Sequence, residues 1–519
     1  MKKIFAILVC IICSLSCLAG CGNAVAGLKR PLYAKPKTEV LRVYNCEDYI
    51  AVDDEETEEN ESCVDAFIEY MKSKGRNVKV EYSTFGTLEN MYNELKINPG
   101  SYDLICPSEY MIQKMMSEGM LEKFDDDFLN DADSNYNKYA SPFIKKLFEE
   151  TVIGDGLKMS DYAVGYMWGT LGLLYNPEKV SEEDMTDWTS LWDKKYKGKS
   201  TIKDSIRDTF FLGLAKYHND ELLTLADSFE KGEITKDVYN EKITTLFNDT
   251  GDKTLDEVGK LLSTLKNNVY GLEVDSGKND MVTGKITINF AWSGDAVYAM
   301  DTAEEENNLI LNYSVPKQGS NIWFDAWCMP KGANKELAQE FVDFVSRPDV
   351  AVMNMDYIGY TSPIAGDEVL DYIKETYELT EIATDDNPYV ADLSYFFKGT
   401  LDDDGKAILY CSETGRQFTA QYPTEDIVNR CAVMKFFDPQ TNAKVNEMWE
   451  KVKGAAIPVW GLVLIAVLIF LVAMGVLFIR FKDKIIKPDY TKKEKPLKKG
   501  VTVVGKEEIV YYNQPDEKK

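Results

Sequence analysis

Histidine is nearly absent from this chain. The 519 residues contain one, His218, so a His-based catalytic triad is not supported and a metal site with several histidines is impossible. No G-x-x-x-x-G-K-[ST] and no strand-linked G-x-G-x-x-G phosphate loop occurs. An acidic run from Asp131 begins like an EF-hand loop, but Tyr136 stands where that loop needs Gly and Pro142 where it needs Glu. The sequence therefore predicts neither a nucleotide-driven machine nor a bound metal or cofactor.

The first twenty residues have the pattern of a secretory signal. Two lysines precede an apolar stretch from Ile4 to Leu18, and small residues lead to Cys21. The Leu-Ala-Gly-Cys ending resembles a bacterial lipoprotein signal, which implies a lipid on Cys21. An ordinary signal peptide that ends near a cysteine is the alternative. We predict a lipoprotein signal over 1–20 and a linker over 21–39.

A second membrane attachment is predicted near the other end. Residues 457–479 are apolar and carry no charge, and a helix of that length would span about 34 Å, enough for a hydrocarbon core of about 30 Å. Trp460 fits an interfacial anchor. The tail 480–519 has 12 Lys and Arg against 7 Asp and Glu, so we expect it in the cytoplasm. The body would then lie on the outer face of the cytoplasmic membrane.

The body between these segments is strongly acidic. The chain carries a net charge of −27, and subtracting the +5 of the tail and the +2 of the signal leaves about −34. Such a charge repels nucleic acid and favours cationic partners. A body of about 430 residues exceeds the usual size of a single core, so two lobes are expected.

Six cysteines remain outside the signal and the lipidation site. They are Cys46, Cys63, Cys106, Cys328, Cys411 and Cys431. Spacing does not choose among their possible pairings, although Cys106 and Cys328 lie in apolar, strand-like runs where buried free thiols are expected. The six contain no C-x-x-C pair, so a thiolate zinc site is not expected.

Short apolar strands alternate with amphipathic helices after Glu39. The strand patterns are 40–44, 78–82 and 102–106, and the helix patterns between them are 64–74 and 88–95. This alternation predicts an α/β fold with a parallel, doubly wound sheet. Ligands of such sheets bind beyond the carboxyl ends of the strands, here in loops 45–49 and 107–110. A long β-prone run over 162–176 predicts a strand that crosses into a second lobe.

Eight short blocks between about Leu41 and Lys453 occur in an order that resembles the spermidine/putrescine-binding proteins of bacterial polyamine ABC importers. The blocks are Val43-Tyr-Asn-Cys-Glu-Asp-Tyr-Ile50, Tyr102-Asp-Leu-Ile-Cys-Pro-Ser-Glu-Tyr110, Tyr166-Met-Trp-Gly-Thr170 with Tyr175-Asn176, Trp188-Thr-Ser-Leu-Trp192, Asp204-Ser-Ile-Arg-Asp208, Trp292-Ser-Gly-Asp295, Trp323-Phe-Asp325 and Ile358-Gly-Tyr-Thr-Ser-Pro363. The resemblance implies a two-lobed, periplasmic-binding-protein-like fold of type II with a cleft between the lobes. Lobe 1 would hold 40–164 with about 325–367, and lobe 2 would hold 165–324 with about 368–453.

The resemblance also implies a binding site for a polyamine, whose ammonium groups need carboxylates and whose methylenes need apolar walls. The aromatic walls would be Tyr49, Tyr110, Trp292, Trp323 and Tyr360, with Ser108 as a polar contact. The acidic partners would be Asp208 and Asp325, with Asp204 and Asp295 as further candidates. The chain departs from the family at Cys46, where Trp is usual, and at Glu47, which could add an acidic contact.

The function implied is that of a receptor rather than an enzyme. It would capture spermidine or putrescine and deliver it to a separate permease and ATPase, because one spanning helix cannot form a transport path. A membrane-tethered sensor or scaffold is one alternative. A binding protein for another small solute, such as an amino acid or a metal chelate, is a second. An extracellular enzyme that uses Asp208 and Asp325 as paired carboxylates is a third.

Overall fold

The computed structural model describes residues 38–53, 62–154, 156–397 and 406–454, together with 467, 470–472 and 474. The signal segment, Cys21, nearly all of the linker, most of 457–479 and the whole tail lie outside the described residues, so the membrane attachments expected there stay predictions. In the described part, no helix is both long enough and apolar enough to cross a membrane. The chain divides into two compact units, Met1–Lys453 and Gly454–Lys519.

Most of the described strands belong to one large mixed sheet. In chain order they are β1 (Glu39–Cys46), β2 (Val78–Phe85), β3 (Leu104–Ile105), β4 (Leu121–Glu122), β5 (Val152–Ile153), β6 (Leu157–Lys158), β7 (Ala163–Tyr175), β8 (Ser200–Lys203), β9 (Gly271–Glu273), β10 (Ile288–Trp292), β11 (Asn312–Ser314), β12 (Ser320–Pro330), β13 (Tyr389–Asp392), β14 (Ile408–Cys411) and β15 (Cys431–Ala432). The main order is β2-β1-β3-β12-β7-β10-β8-β9, while β5 pairs with β6 and β13 with β14.

Two long strands cross the middle of the sheet between two parallel parts. On one side β1 is parallel to β2 and β3, and on the other β8 is parallel to β10 and β9. Between them β7 and β12 pair antiparallel. The strand predicted over 162–176 is confirmed as β7, in which all 13 residues are buried, whereas its crossing into a second lobe stays a prediction. The predicted lobe boundaries at 164/165 and 324/325 fall inside β7 and β12, so the division into lobes stays a prediction.

Helices cover the sheet. In the described residues they are α1 (Cys63–Ser73), α2 (Leu88–Ile97), α3 (Glu109–Ser117), α4 (Asp126–Asn130), α5 (Asn135–Tyr139), α6 (Pro142–Glu150), α7 (Glu182–Met185), α8 (Ile206–Tyr217), α9 (Asn219–Glu230), α10 (Lys236–Leu246), α11 (Asp252–Lys266), α12 (Gly277–Val282), α13 (Ser293–Asn307), α14 (Lys335–Val345), α15 (Pro348–Ile358), α16 (Asp367–Thr376), α17 (Gln417–Gln421), α18 (Glu425–Val428) and α19 (Pro439–Lys453), with 3₁₀ turns at Met159–Asp161, Trp188–Trp192 and Lys194–Tyr196.

Helix α14 illustrates how the helices attach to the sheet. Its buried residues Leu337, Phe341 and Val345 lie four apart and therefore on one face. The Phe341 ring lies 5.0 Å from Phe67 on α1 and 5.6 Å from Trp327 on β12. This aromatic contact joins α14 to α1 and to a crossing strand.

Cys106 and Cys328 are buried free thiols, as the sequence predicts. Cys328 pairs with Ile105 where β12 meets β3. Burial raises the pKa of both thiols, so neither is a ready nucleophile.

The carboxyl ends of four strands lead directly to residues of the predicted cleft. Tyr49 follows β1 after a short turn, and Ser108 is the N-cap of α3 just beyond β3. Ser205 is the N-cap of α8 just beyond β8. Trp292 ends β10 and is the N-cap of α13. The carboxyl ends of these strands and the starts of the helices that follow them therefore bring the candidate residues together.

Candidate ligand-binding cleft

A half-buried carboxylate on β12, Asp325, is held by two neutral hydroxyls. Ser108 Oγ donates to Asp325 Oδ1 over 2.6 Å, and the Tyr49 hydroxyl donates to Oδ2 over 2.6 Å. Burial raises the pKa of Asp325, and both hydrogen bonds oppose that rise. The hydroxyls satisfy lone pairs but bring no charge, so the carboxylate is suited to accept a cation.

Three aromatic side chains lie in contact beside this carboxylate. The ring centres of Tyr49 and Tyr360 lie 5.5 Å apart at 84°, and those of Trp323 and Tyr360 lie 5.4 Å apart. Such edge and tilted contacts fix the rings against one another. The structure therefore brings together Tyr49, Trp323, Tyr360, Ser108 and Asp325, as the resemblance implies.

Two motif glycines make room for these rings. An added Cβ at Gly294 would lie 2.0 Å from Tyr360 Cδ1, and one at Gly169 would lie 2.5 Å from Trp323 Cζ2. Both distances are far below van der Waals contact. The glycines in Trp292-Ser-Gly-Asp295 and in Tyr166-Met-Trp-Gly-Thr170 thus have a steric reason.

Asp295 belongs to the same cluster, but its charge is already compensated. The Tyr360 hydroxyl donates to Asp295 Oδ1 over 2.9 Å, and Lys203 Nζ lies 3.1 Å from Oδ2. Lys203 also lies 3.2 Å from Glu273, and Lys278 Nζ lies 3.9 Å from Asp295. A buried carboxylate without a partner would be costly. At Asp295, Lys203 of the same chain supplies the compensating charge.

Asp208 and Trp292 lie beside that lysine. The side chain of Asp208 is buried in the first turn of α8, where Ser205 caps its backbone N–H. Burial raises the pKa of Asp208, while hydrogen bonds from Ser205 and Trp292 and the charge of Lys203 oppose the rise. Lys203 Nζ lies 4.2 Å from the centre of the Trp292 ring. Lys203 therefore covers one face of Trp292, which was predicted to be an aromatic wall of the cleft.

Tyr110 contacts an arginine rather than the aromatic cluster. The Arg207 guanidinium lies 5.5 Å from the Tyr110 ring and 3.7 Å from the Phe437 ring, and it donates to the Lys435 carbonyl. Tyr110, one of the predicted aromatic walls, therefore lies beside a cation of the chain.

Two of the further acidic candidates do not join the cluster. Glu47 is exposed, and Asp204 is exposed and forms an ion pair with Lys453 over 3.4 Å. Of the three further acidic candidates, Asp295 alone therefore joins the cluster.

Glu109 is a candidate that the sequence did not single out. It lies between Ser108 and Tyr110, is 2% exposed, and its Oε2 has no hydrogen-bond partner among the described residues. Burial, and then the charge of Asp325, raise the pKa of Glu109 to about 8, with a smaller contribution from Asp208. Its place inside the Pro-Ser-Glu-Tyr block was the available signal.

Known proteins with similar sequences include polyamine-binding proteins. The chain is 29% identical over 293 residues to the spermidine/putrescine-binding periplasmic protein of Escherichia coli (strain K12), covering 56% of this chain and 72% of that protein. It is 26% identical over 337 residues to a putrescine-binding periplasmic protein of the same strain, covering 64% of this chain and 79% of that protein.

Solved structures with similar folds point the same way. One is the spermidine/putrescine ABC transporter substrate-binding protein of Streptococcus pneumoniae in complex with calcium and HEPES, with 25% identity, a TM-score of 0.52 and coverage of 80% of this chain and 98% of that one. Another is a putative spermidine/putrescine ABC transporter from Listeria monocytogenes, with 25% identity, a TM-score of 0.54 and coverage of 80% and 99%. These likenesses show the two-lobed, periplasmic-binding-protein-like α/β fold.

The family is shown by a match between this chain and a family model, and the matched residues include Asp325 and many strands of the sheet. The match extends over residues 65–372, more than half of the chain, and includes both crossing strands. This chain belongs to the bacterial extracellular solute-binding proteins.

Proposed function

We propose that the chain captures a polyamine, spermidine or putrescine, in this cleft and delivers it to a separate ABC permease and its ATPase. The observation that carries the proposal is Asp325, a carboxylate whose side-chain partners among the described residues are neutral hydroxyls and which is placed against Tyr49 and Tyr360. The names of the similar proteins support the same ligand class.

The chemistry of the cluster suits a flexible dication or trication. A charge-assisted hydrogen bond from an ammonium to Asp325 contributes about 1.5–3 kcal/mol. Each buried methylene adds about 0.8 kcal/mol, and an ammonium over an aromatic face adds about 0.5–2 kcal/mol. An acidic sugar, or the carboxylate of an amino acid, would instead be repelled by the carboxylates of Asp325 and Asp208.

We further propose that the receptor is tethered to the outer face of the cytoplasmic membrane. The lipid predicted on Cys21 and the apolar segment 457–479 would serve as anchors, with the tail 480–519 inside. Tethering raises the effective concentration of the receptor near its permease.

Calorimetric titration of the full-length chain tests the ligand. We expect putrescine or spermidine to bind and to be recovered unchanged, while glutamate and glucose give no heat. Binding of a sugar or an anion with no binding of either amine would overturn the assignment. Chemical conversion of the bound amine would favour the enzyme alternative.

A further inference from the structure

Lys203 places an ammonium group of the chain inside the cleft cluster. It is the last residue of β8, and its side chain is 1% exposed. Its Nζ lies 3.1 Å from Asp295, 3.2 Å from Glu273 and 4.2 Å from the centre of the Trp292 ring. A buried lysine is rare, and two carboxylates and an aromatic face account for this one.

These surroundings are the ones that the cleft would offer to an amine of a ligand. An ammonium group of a polyamine seeks a carboxylate for its charge and an aromatic face beside its methylenes. Asp295 and Trp292 supply both, and Lys203 already uses them.

Asp295 is part of the same cluster as Asp325 rather than a remote structural pair. The Tyr360 hydroxyl donates to Asp295 and the Tyr49 hydroxyl donates to Asp325, and the two tyrosine rings are in contact at 5.5 Å. The charges of both carboxylates act on Tyr360. An amine seated at Asp295 would therefore be an arm of the same ligand.

We propose that Lys203 occupies one amine position of the cleft from within the chain, so that the cleft selects a diamine over a triamine. This inference rests on the proposed function. Asp295 forms a salt bridge with Lys203 at 3.1 Å. Asp325 and Asp208 form no salt bridge among the described residues, so they remain as the two acceptors for the ligand. A triamine would have to displace the Lys203 ammonium from Asp295 and leave it, still buried, with Glu273 as its remaining carboxylate partner, which is unfavourable.

Replacing Lys203 tests this selection by calorimetry with putrescine and spermidine on the full-length chain. We expect the unaltered chain to bind putrescine at least as tightly as spermidine. In Lys203→Met, Asp295 becomes available to a third amine, so the affinity for spermidine relative to putrescine should rise at least tenfold. Because the change leaves two buried carboxylates with one lysine fewer, Lys203→Met with Glu273→Gln is a second variant that restores the charge balance.

Two variants serve as controls. Lys203→Arg keeps the internal cation and should keep the selectivity within about threefold. Lys278→Met removes a lysine that also lies near Asp295 but pairs with Asp275 over 2.8 Å, so its effect on the ratio should also stay within about threefold.

The outcomes separate the two proposals. If the unaltered chain binds neither amine, the proposed function fails, and this inference fails with it. If putrescine binds but the ratio is unchanged in both Lys203→Met variants, Lys203 is a structural ion-pair partner and the inference alone is overturned. Preference of the unaltered chain for spermidine by tenfold or more would overturn it as well.

Discussion

Four carboxyl groups lie in or beside the cleft cluster, and their partners distinguish them. Asp325 accepts hydrogen bonds from two hydroxyls, and Asp295 forms an ion pair with a lysine. Asp208 is hydrogen-bonded by Ser205 and Trp292. Glu109 has one oxygen without a partner in the described part of the chain. Residue type alone would make all four equal candidates for an ammonium group, whereas their contacts leave Asp325 the best suited.

Asp325→Asn should weaken amine binding by about 1.5–3 kcal/mol, because it removes the charge from the proposed acceptor and keeps its shape. Calorimetric titration of putrescine measures the loss. Asp204→Asn is the matched control, since Asp204 is exposed and paired with Lys453, and it should change affinity by less than about threefold. Equal effects of the two substitutions would contradict the role of Asp325.

Glu109→Gln should change how stability depends on pH in the absence of ligand. Burial raises the pKa of Glu109 in the folded protein to about 8, whereas in the unfolded chain a glutamate titrates near about 4.3. Between these values the folded state holds the proton more tightly, so this group makes stability fall as pH rises. The variant lacks this penalty, and its free energy of unfolding relative to wild type should rise by about 1 kcal/mol or more from pH 5 to 7.5.

Urea unfolding at both pH values measures that difference. Glu149→Gln, at an exposed glutamate of α6, should show a difference from wild type that does not depend on pH. A pH-independent difference for Glu109→Gln would show that its carboxyl is not buried in solution.

At the scale of elements, strand ends and helix starts hold the cluster in place. β12 carries Trp323 and Asp325, the start of α13 carries Asp295, and the loop after α15 carries Tyr360. The Gly294 backbone packs directly against the Tyr360 ring. The close packing of α13 against Tyr360 therefore depends on glycine at position 294.

Gly294→Ala should destabilise the protein by roughly 1–3 kcal/mol through overpacking, even though alanine is favoured over glycine within helices by up to about 1 kcal/mol. Its Cβ would lie 2.0 Å from Tyr360 Cδ1. Urea unfolding measures the loss. Gly271→Ala is the control, because a Cβ there meets no atom within 4 Å, and a comparable loss in both variants would contradict the steric explanation.

At the scale of the whole molecule, the ligand-binding body and the C-terminal segment are separate compact units. The first, Met1–Lys453, ends with α19, and Lys266 Nζ on α11 donates to the Val452 carbonyl over 3.0 Å within that unit. The cleft cluster lies wholly inside it.

A chain that ends after Lys453 should therefore bind putrescine within about threefold of the full-length chain. Calorimetry and thermal unfolding of the two chains provide the measurement. A tenfold loss of affinity would mean that the C-terminal unit contributes to the site.

Transport distinguishes the importer from a sensor. If Cys21 is lipidated, cells that carry the shortened chain should still take up labelled putrescine. Loss of uptake with intact binding would instead favour a sensor or scaffold that acts through the tail.

The alternation of strands and helices predicted the α/β fold class, and the order of the motif blocks predicted residues that the structure brings together around Asp325. Strand and helix periods are local properties, so they can be read without knowing what packs on what. Tyr49, Ser108, Trp323, Asp325 and Tyr360 could be named only because the motif blocks that contain them resemble those of a known family.

Only the tertiary structure decided which of the candidates are available to a ligand. Lys203 and Asp295 are 92 positions apart in sequence and meet because β8 and β10 are neighbours. Neither periodicity nor a motif encodes that contact, and it decides whether Asp295 accepts a ligand or a lysine. The same holds for Asp204, which faces Lys453, and for Glu109, whose burial depends on elements distant in sequence. Charge compensation depends on neighbours in space, and those are set by packing.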